Sequence, residues 1–250
     1  MAAGLLQRLA ADTVNETALF ALASQVMMTK RMDVIANNIA NASTPAYKRE
    51  DLVFADYMQS VATGQAAADE DVRRDYRVGN LTHTGNALDI AVKDDSFFSV
   101  ESNGGILYTR NGHFTVDSDG NLVTTSGDKV LDDNGQPIAI LPTDGDIIVS
   151  PDGTVLADGA PIATLGMFRF DDPNVLERAG DGLYLDRNGA ALPATEVELV
   201  QGAIEESNVV PVLEITRMMD VMRSFQAAAR VQDTEHERLR RAIQVLTQVS

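Results

Sequence analysis

The 250-residue chain has no cysteine, no tryptophan and only 5% aromatic residues. Without cysteine there is no thiol catalysis, no disulfide and no thiolate zinc site. An oxidising compartment then holds no risk of mispaired thiols. The three histidines, His83, His113 and His236, show no i, i+4 ligand spacing and no His-Glu-x-x-His. Neither phosphate-cradling glycine motif is present, so nucleotide binding has no support. Ser96, in Asp94-Asp-Ser-Phe-Phe98, lacks the Gly-x-Ser-x-Gly elbow of hydrolases. The expectation is a protein that is not an enzyme, with no catalytic residue, no metal and no cofactor. Basic stripes are missing as well: the net charge is −17, which disfavours phosphate-backbone contacts and excludes nucleic acid as a partner. No apolar run approaches the roughly 20 residues of a membrane span, so no membrane insertion is expected. The opening Met-Ala-Ala-Gly-Leu-Leu-Gln-Arg8 is not a cleavable signal peptide. The chain is expected either to stay in the cytoplasm or to leave it without cleavage.

What the sequence does have is concentrated at its ends. Residues 11–41 and 211–248 both read as long helices with a narrow apolar seam. The first seam runs Ala11, Val14, Ala18, Ala21, Gln25, Met28, Met32, Ile35, Ile39, and the second Ile215, Met218, Met222, Phe225, Ala229, Gln232, His236, Leu239, Ile243, Leu246. Steps of three and four give the 3.5-residue period of a coiled coil. A seam that narrow needs a partner helix. The expected fold class is therefore α+β: N- and C-terminal helices forming a coiled-coil-like assembly domain, with a projecting antiparallel β domain between them. Met28, Met32, Ile35, Ile39, Ile215, Met218, Met222, Phe225, Leu239, Ile243 and Leu246 are the expected assembly residues, and the methionines among them read as adaptable packing.

The first helix stops in Ala36-Asn-Asn-Ile-Ala-Asn-Ala-Ser-Thr-Pro45, where short polar side chains compete for the backbone and Pro45 disfavours a helical Thr44. From about 81 to 200, Asn-Gly and Asp-Gly pairs punctuate strand-like runs, which predicts short hairpin-linked strands, largely meandering. Asp117-Ser-Asp119-Gly120 and Asp132-Asp-Asn-Gly135 superficially resemble calcium loops, but the ligand spacing fails and hairpin turns account for them. Ser207 or Asn208 is the expected cap of the second helix, with Pro211 in its first turn. The expected organisation is 1–50 N-terminal assembly helix, 51–80 connector, 81–200 central β domain and 201–250 C-terminal assembly helix. Residues 1–50 and 211–250 carry +1 each, which leaves −19 for 51–210. Near-neutral ends can pack densely against copies of themselves, and a strongly acidic middle stays in water.

Three stretches carry a specific resemblance. Ala36-Asn-Asn-Ile-Ala-Asn-Ala-Ser-Thr-Pro-Ala-Tyr-Lys48 resembles the N-terminal signature of the flagellar rod and hook family. Thr84-Gly-Asn-Ala-Leu-Asp-Ile-Ala-Val92, with Phe97-Phe98 and Tyr108-Thr-Arg-Asn-Gly-His-Phe114, resembles its central signature. Gln201-Gly-Ala-Ile-Glu-Glu-Ser-Asn-Val209 resembles its C-terminal one. The motif residues are Asn37, Asn38, Asn41, Pro45, Lys48, Gly85, Asn86, Asp89, Arg110, Gly112, Glu205, Ser207 and Asn208. Leu19-Phe-Ala-Leu-Ala-Ser-Gln25 and Thr234-Glu-His-Glu-Arg-Leu-Arg-Arg-Ala-Ile-Gln244 are similar to the ends of a proximal rod subunit, with a distal rod subunit as the alternative. The resemblance implies a structural subunit of the bacterial basal body that is exported by the flagellar type III export apparatus without a cleaved signal. Such a subunit assembles in the periplasm with other flagellar rod subunits, homologous and identical, and transmits torque. Three departures stand out: Ala46 at a usually glycine position, Lys93-Asp-Asp-Ser96 in place of a glycine-rich stretch, and the additional residues 1–12. The alternative of another class is a secreted β-rich binding module that is dimerised by its helices.

Overall fold

The computed structural model describes residues 23–53, 72–141 and 145–248. The seam positions Ala11, Val14, Ala18 and Ala21 lie outside them, as do the side chains of Gln232, His236, Leu239, Ile243 and Leu246. The described chain divides into two compact units. One holds 23–39, 50–53, 72–73 and 210–248, and the other 40–49 and 74–209.

The larger unit is an antiparallel β body. Its main sheet is built on β5 (Phe97–Ser102), which pairs with β6 (Gly105–Thr109) and β9 (Lys129–Val130). The hairpin strands β7 (Phe114–Val116) and β8 (Leu122–Thr124) extend it beyond β9, and β14 (Glu177–Gly180) and β15 (Leu183–Leu185) extend it beyond β6. Also on β5 lies β13 (Met167–Arg169), which in turn carries β16 (Leu192–Pro193). A three-stranded sheet follows the order β10 (Ile147–Val149), β11 (Thr154–Ala157), β12 (Ala160–Thr164). Two short ladders join the segment from 199 onward to that before 93: β17 (Leu199–Gln201) on β4 (Ile90–Val92), and β18 (Ala203–Glu205) on β3 (Leu81–His83).

Strand alternation explains the double core. Phe97 and Phe98 point to opposite faces of β5. Phe98 joins Ile90, Val92, Val100, Phe114 and Leu122 in one cluster, and Phe97 joins Tyr108, Phe170, Leu176 and Tyr184 in another. The second cluster packs edge to face, with Phe97 and Phe170 ring centres 5.4 Å apart. Each buried phenylalanine contributes roughly 1.5–3 kcal/mol over exposure. Three of the expected turns, Asn103-Gly104, Asp158-Gly159 and Asp181-Gly182, have positive φ at both residues, the geometry that suits two-residue hairpins. The meander is only local, because strands from the second half of the chain flank the β5–β6 hairpin.

The smaller unit contains α1 (residues 23–40), β1 (Glu50–Leu52) with its partner β2 (Val72–Arg74), and α2 (Pro211–Gln248). The expected coiled coil is not seen. Ile215 and Met222, expected on the seam, are 49% and 47% exposed. Among the described side chains of α2, the buried ones are instead Glu214 and Val221. Where α1, β1 and α2 come together there is a cleft of about 280 Å³, lined by Val34 and Ile35, by Glu50 to Leu52 and by Arg217. Knobs-into-holes packing leaves no such opening. The physical reason for the correction is that a 3.5-residue apolar period reports a face able to be buried, without saying what buries it. The cap is corrected too. Pro211 opens α2, as the missing N–H of its first turn allows, and the Val210 carbonyl accepts from Leu213 and Glu214. Ser207 and Asn208 lie upstream of the helix, the Ser207 hydroxyl accepting from the Val209 amide at 3.2 Å.

Candidate functional site

The three motif stretches converge on one buried charge cluster in the β body. Lys48, from the segment after α1, donates to Glu205 Oε1 at 2.5 Å and to the Arg77 carbonyl at 2.9 Å. Arg110, from the turn after β6, donates through Nε to Glu205 Oε2 at 3.0 Å. Its remaining nitrogens bond the carbonyls of Ser96 and Val92, at 2.9 and 3.3 Å, and the guanidinium lies 5.6 Å from the Phe97 ring centre. Glu205 Oε1 also accepts from the Gly79 amide at 2.8 Å. All three charged side chains are buried. Two cations share one carboxylate, so the cluster is electrostatically lopsided. Burial, and next the field of Arg110, lowers the Lys48 ammonium to about 8 against the pull of Glu205. Burial alone would raise the Glu205 carboxyl, but Arg110, Lys48 and the Gly79 amide outweigh it and hold it below the ordinary carboxylate range.

Around the cluster, backbone and amide bonds tie the segments together. Ala46 N–H donates to the Glu205 carbonyl at 2.8 Å. Asn208 accepts from the Arg49 amide at 2.7 Å and donates to the Asp75 and Arg77 carbonyls at 2.7 and 3.2 Å. Ala46, at the usually glycine position, keeps a left-handed φ of 56°; the turn retains its shape at a cost of roughly 1–2 kcal/mol. Pro45 leads into this turn, and the Asn41 carbonyl accepts from Thr44 N–H at 3.1 Å.

Elsewhere the motif residues hold the backbone. In the smaller unit, buried Asn38 bonds both backbone groups of Glu50, at 2.8 and 2.9 Å, and Asn37 reaches the Glu50 carboxylate at 3.4 Å. In the body, buried Asp89 accepts from Thr84 at 2.6 Å and Asn86 at 3.1 Å, and pairs with His113 Nδ1 at 2.5 Å. Gly85 donates to the Gly202 carbonyl at 3.1 Å. Gly112 is required by close approach: a Cβ there would stand 1.7 Å from the Ile90 carbonyl oxygen. In the departure at 93–96, Asp94 accepts from the Ser96 and Glu198 amides, both at 2.7 Å. The calcium-like acids are engaged by their own turns: Asp117 accepts from Asp119 and Asn121, and Asp132 from Asn134 and Gln136.

On α2 the exposed apolar residues form their own stripe. Val212, Ile215, Met219 and Met222 are 71%, 49%, 48% and 47% exposed, and their spacing of three, four and three puts them on one face. Met218 and Phe225 are half-buried, as are Met28, Met32 and Ile39 of α1, and Ile35 is buried. Sequence reasoning missed Val212 and Met219. The adjacent pairs Met218-Met219 and Val221-Met222 allow two registers of the same period, and only packing chooses between them. It also missed residues 75–80. These supply the Arg77 carbonyl and Gly79 amide to the charge cluster and Tyr76 to the aromatic core; the arginines and Gly79 were the only signal.

Comparison with known proteins finds matches in each of the three stretches. Residues 28–48 match the flagella basal body rod protein family, residues 91–157 the flagellar hook protein FlgE/F/G D1 domain, and residues 200–245 the flagellar basal body rod FlgEFG protein C-terminal family. Lys48, Arg110 and Glu205 fall one in each. The chain is 36% identical to the flagellar basal-body rod protein FlgF of Caulobacter vibrioides, over 92% of this chain and 97% of that one. It is 33% identical to FlgF of Mesorhizobium japonicum, over 84% and 88%, and 30% identical to the rod protein FlgG of Bacillus subtilis, over 85% and 92%. The chain belongs to the flagellar basal-body rod family, as a structural subunit and not an enzyme.

Proposed function

We propose that the protein builds the proximal part of the rod, packing against identical and homologous subunits through the exposed apolar face of α2 and transmitting torque along the resulting assembly. The observation that carries this reading is the stripe Val212, Ile215, Met219, Met222. Four large apolar groups in register on one helix form a surface suited to packing against another protein. A helical assembly needs heterologous contacts, in which one patch meets a different patch on the next copy. The unequal charge supports the same division of labour, with the acidic middle kept in solvent. The subunit reaches the periplasm through the flagellar type III export apparatus without a cleaved signal. The exposed apolar residues of α2 act in assembly.

The test is Met219→Asp together with Ile215→Asp in the full chain, produced in cells that lack the native copy. Basal bodies recovered per cell should fall at least about tenfold while the melting temperature of the purified protein stays within about 2 °C, since the charges sit on an exposed face. Normal motility in this variant would refute the assembly face. Retention of the subunit in the cytoplasm at normal stability would instead fault its export.

A further inference from the structure

The charge cluster joins residues far apart in sequence: Lys48 and Glu205 are separated by 157 positions, and Arg110 and Glu205 by 95. Among the described residues, Glu205 is the carboxylate that accepts from both cations. Asp75, whose field also reaches Lys48, is paired with Arg77. The strand that carries Glu205 closes several seams at once. β18 pairs with β3, and the Glu205 carbonyl accepts from Ala46. Arg110 meanwhile is anchored in the main body by the Ser96 and Val92 carbonyls and by the Phe97 ring. A body that closed around Lys48 and Arg110 without the Glu205 carboxylate would bury a guanidinium and an ammonium with no counter-charge, which is strongly unfavourable.

We propose that docking of Glu205 is the closing step on which folding of the whole β body depends, so that the sheet core does not consolidate until residues 203–205 cover Lys48 and Arg110. A chain produced from its N-terminus then cannot complete its body until nearly all of it has emerged. The coupling is built from charge: the carboxylate comes from the last strand of the body, and the cations from its beginning and middle.

Pulse-labelling hydrogen exchange during refolding of the full chain tests the order of events. The Leu122 and Ile138 amides report the sheet core, through bonds to the Ile138 and Val130 carbonyls, and the Ala46 and Glu206 amides report the closing segments, through bonds to the Glu205 and Asn80 carbonyls. All four should gain protection in one phase, at rates within about twofold. Protection of Leu122 and Ile138 at least about tenfold faster than Ala46 and Glu206 overturns the proposal.

A charge test accompanies it. Glu205→Gln should slow refolding at least about tenfold, and Lys48→Met with Glu205→Gln should recover most of that rate, because the cluster again holds one net positive charge. A single variant that fails to fold while the double variant folds supports the coupling. A double variant no better than the single one, or a single variant that refolds at the native rate, overturns it.

Discussion

The β body and the terminal helix α2 invert the usual assignment of residues to inside and outside. The body buries Lys48, Arg110 and Glu205, whereas α2 leaves Val212, Ile215, Met219 and Met222 in solvent. In the body, every charge of the cluster meets a partner within the same chain, so the arrangement is complete in one molecule. Among the described residues, nothing completes the apolar face of α2 in this way. The difference separates what a subunit settles by itself from what it leaves to its neighbours. A buried ion network contributes little net stability against a well-packed apolar equivalent, yet is costly to break, which suits a junction that must form in one way. An apolar helix face is tolerant of its partner, the more so with two methionines.

Removing the carboxylate from the junction is the strongest way to break this comparison. Glu205→Leu leaves Lys48 and Arg110 buried without a counter-ion and should destabilise the body by about 3–5 kcal/mol, read from urea unfolding of the purified chain. A loss under about 1 kcal/mol would mean that the cations reach water and that the junction is no more demanding than α2. Next in size is Gly112→Ala, whose methyl would lie 1.7 Å from the Ile90 carbonyl oxygen. Since that neighbour is backbone, the chain has to shift, at about 2–3 kcal/mol, measurable as a lower melting temperature.

pH sharpens the contrast, because α2's stripe does not titrate. The folded-state pKa of Glu205 is lowered, so its contribution is present above the ordinary carboxylate range and is lost as pH falls through the folded value. Lys48 has the same sign in a more alkaline window. Its folded pKa of about 8 lies below the ordinary 10.5, so the unfolded chain holds more protons between those values. Its contribution to stability therefore rises with pH across that window. Lys48→Met should remove this alkaline component from the urea-derived stability profile; an unchanged profile would assign it to other groups. The smallest effect is Ala46→Gly, which relieves the left-handed strain at φ 56° but adds unfolded-state entropy. The net should be a gain of up to about 1 kcal/mol, and a loss would show that the Ala46 methyl packs usefully in its buried site.

Local features were legible. The runs at 97–100, 106–109 and 147–149 are strands because short stretches rich in aromatic and β-branched residues are bounded by Asn-Gly or Asp-Gly turns on at least one side, and these pairs bend the chain without reference to anything distant. The three family signatures were legible too, as stretches. Their meeting was not: nothing in Lys48, Arg110 or Glu205 taken singly indicates a common site, because an isolated charge in a sequence reads as solvated. The coiled coil failed for a related reason. Periodicity gave two long helices with apolar stripes, but the choice between Met218 and Met219, or between Val221 and Met222, belongs to whatever packs there.

By itself the sequence determined the class of the protein: helices at the two ends, a hairpin-rich centre, no cysteine chemistry, and family membership carried by short motifs. These follow from local propensity and composition, which act within a few residues. The tertiary structure alone decided which face of α2 is exposed, that residues 75–80 run through the junction, and that one carboxylate late in the chain neutralises two cations placed much earlier. Such pairings depend on burial, and burial is a property of the folded chain as a whole, because a charge is expensive only where water has been excluded.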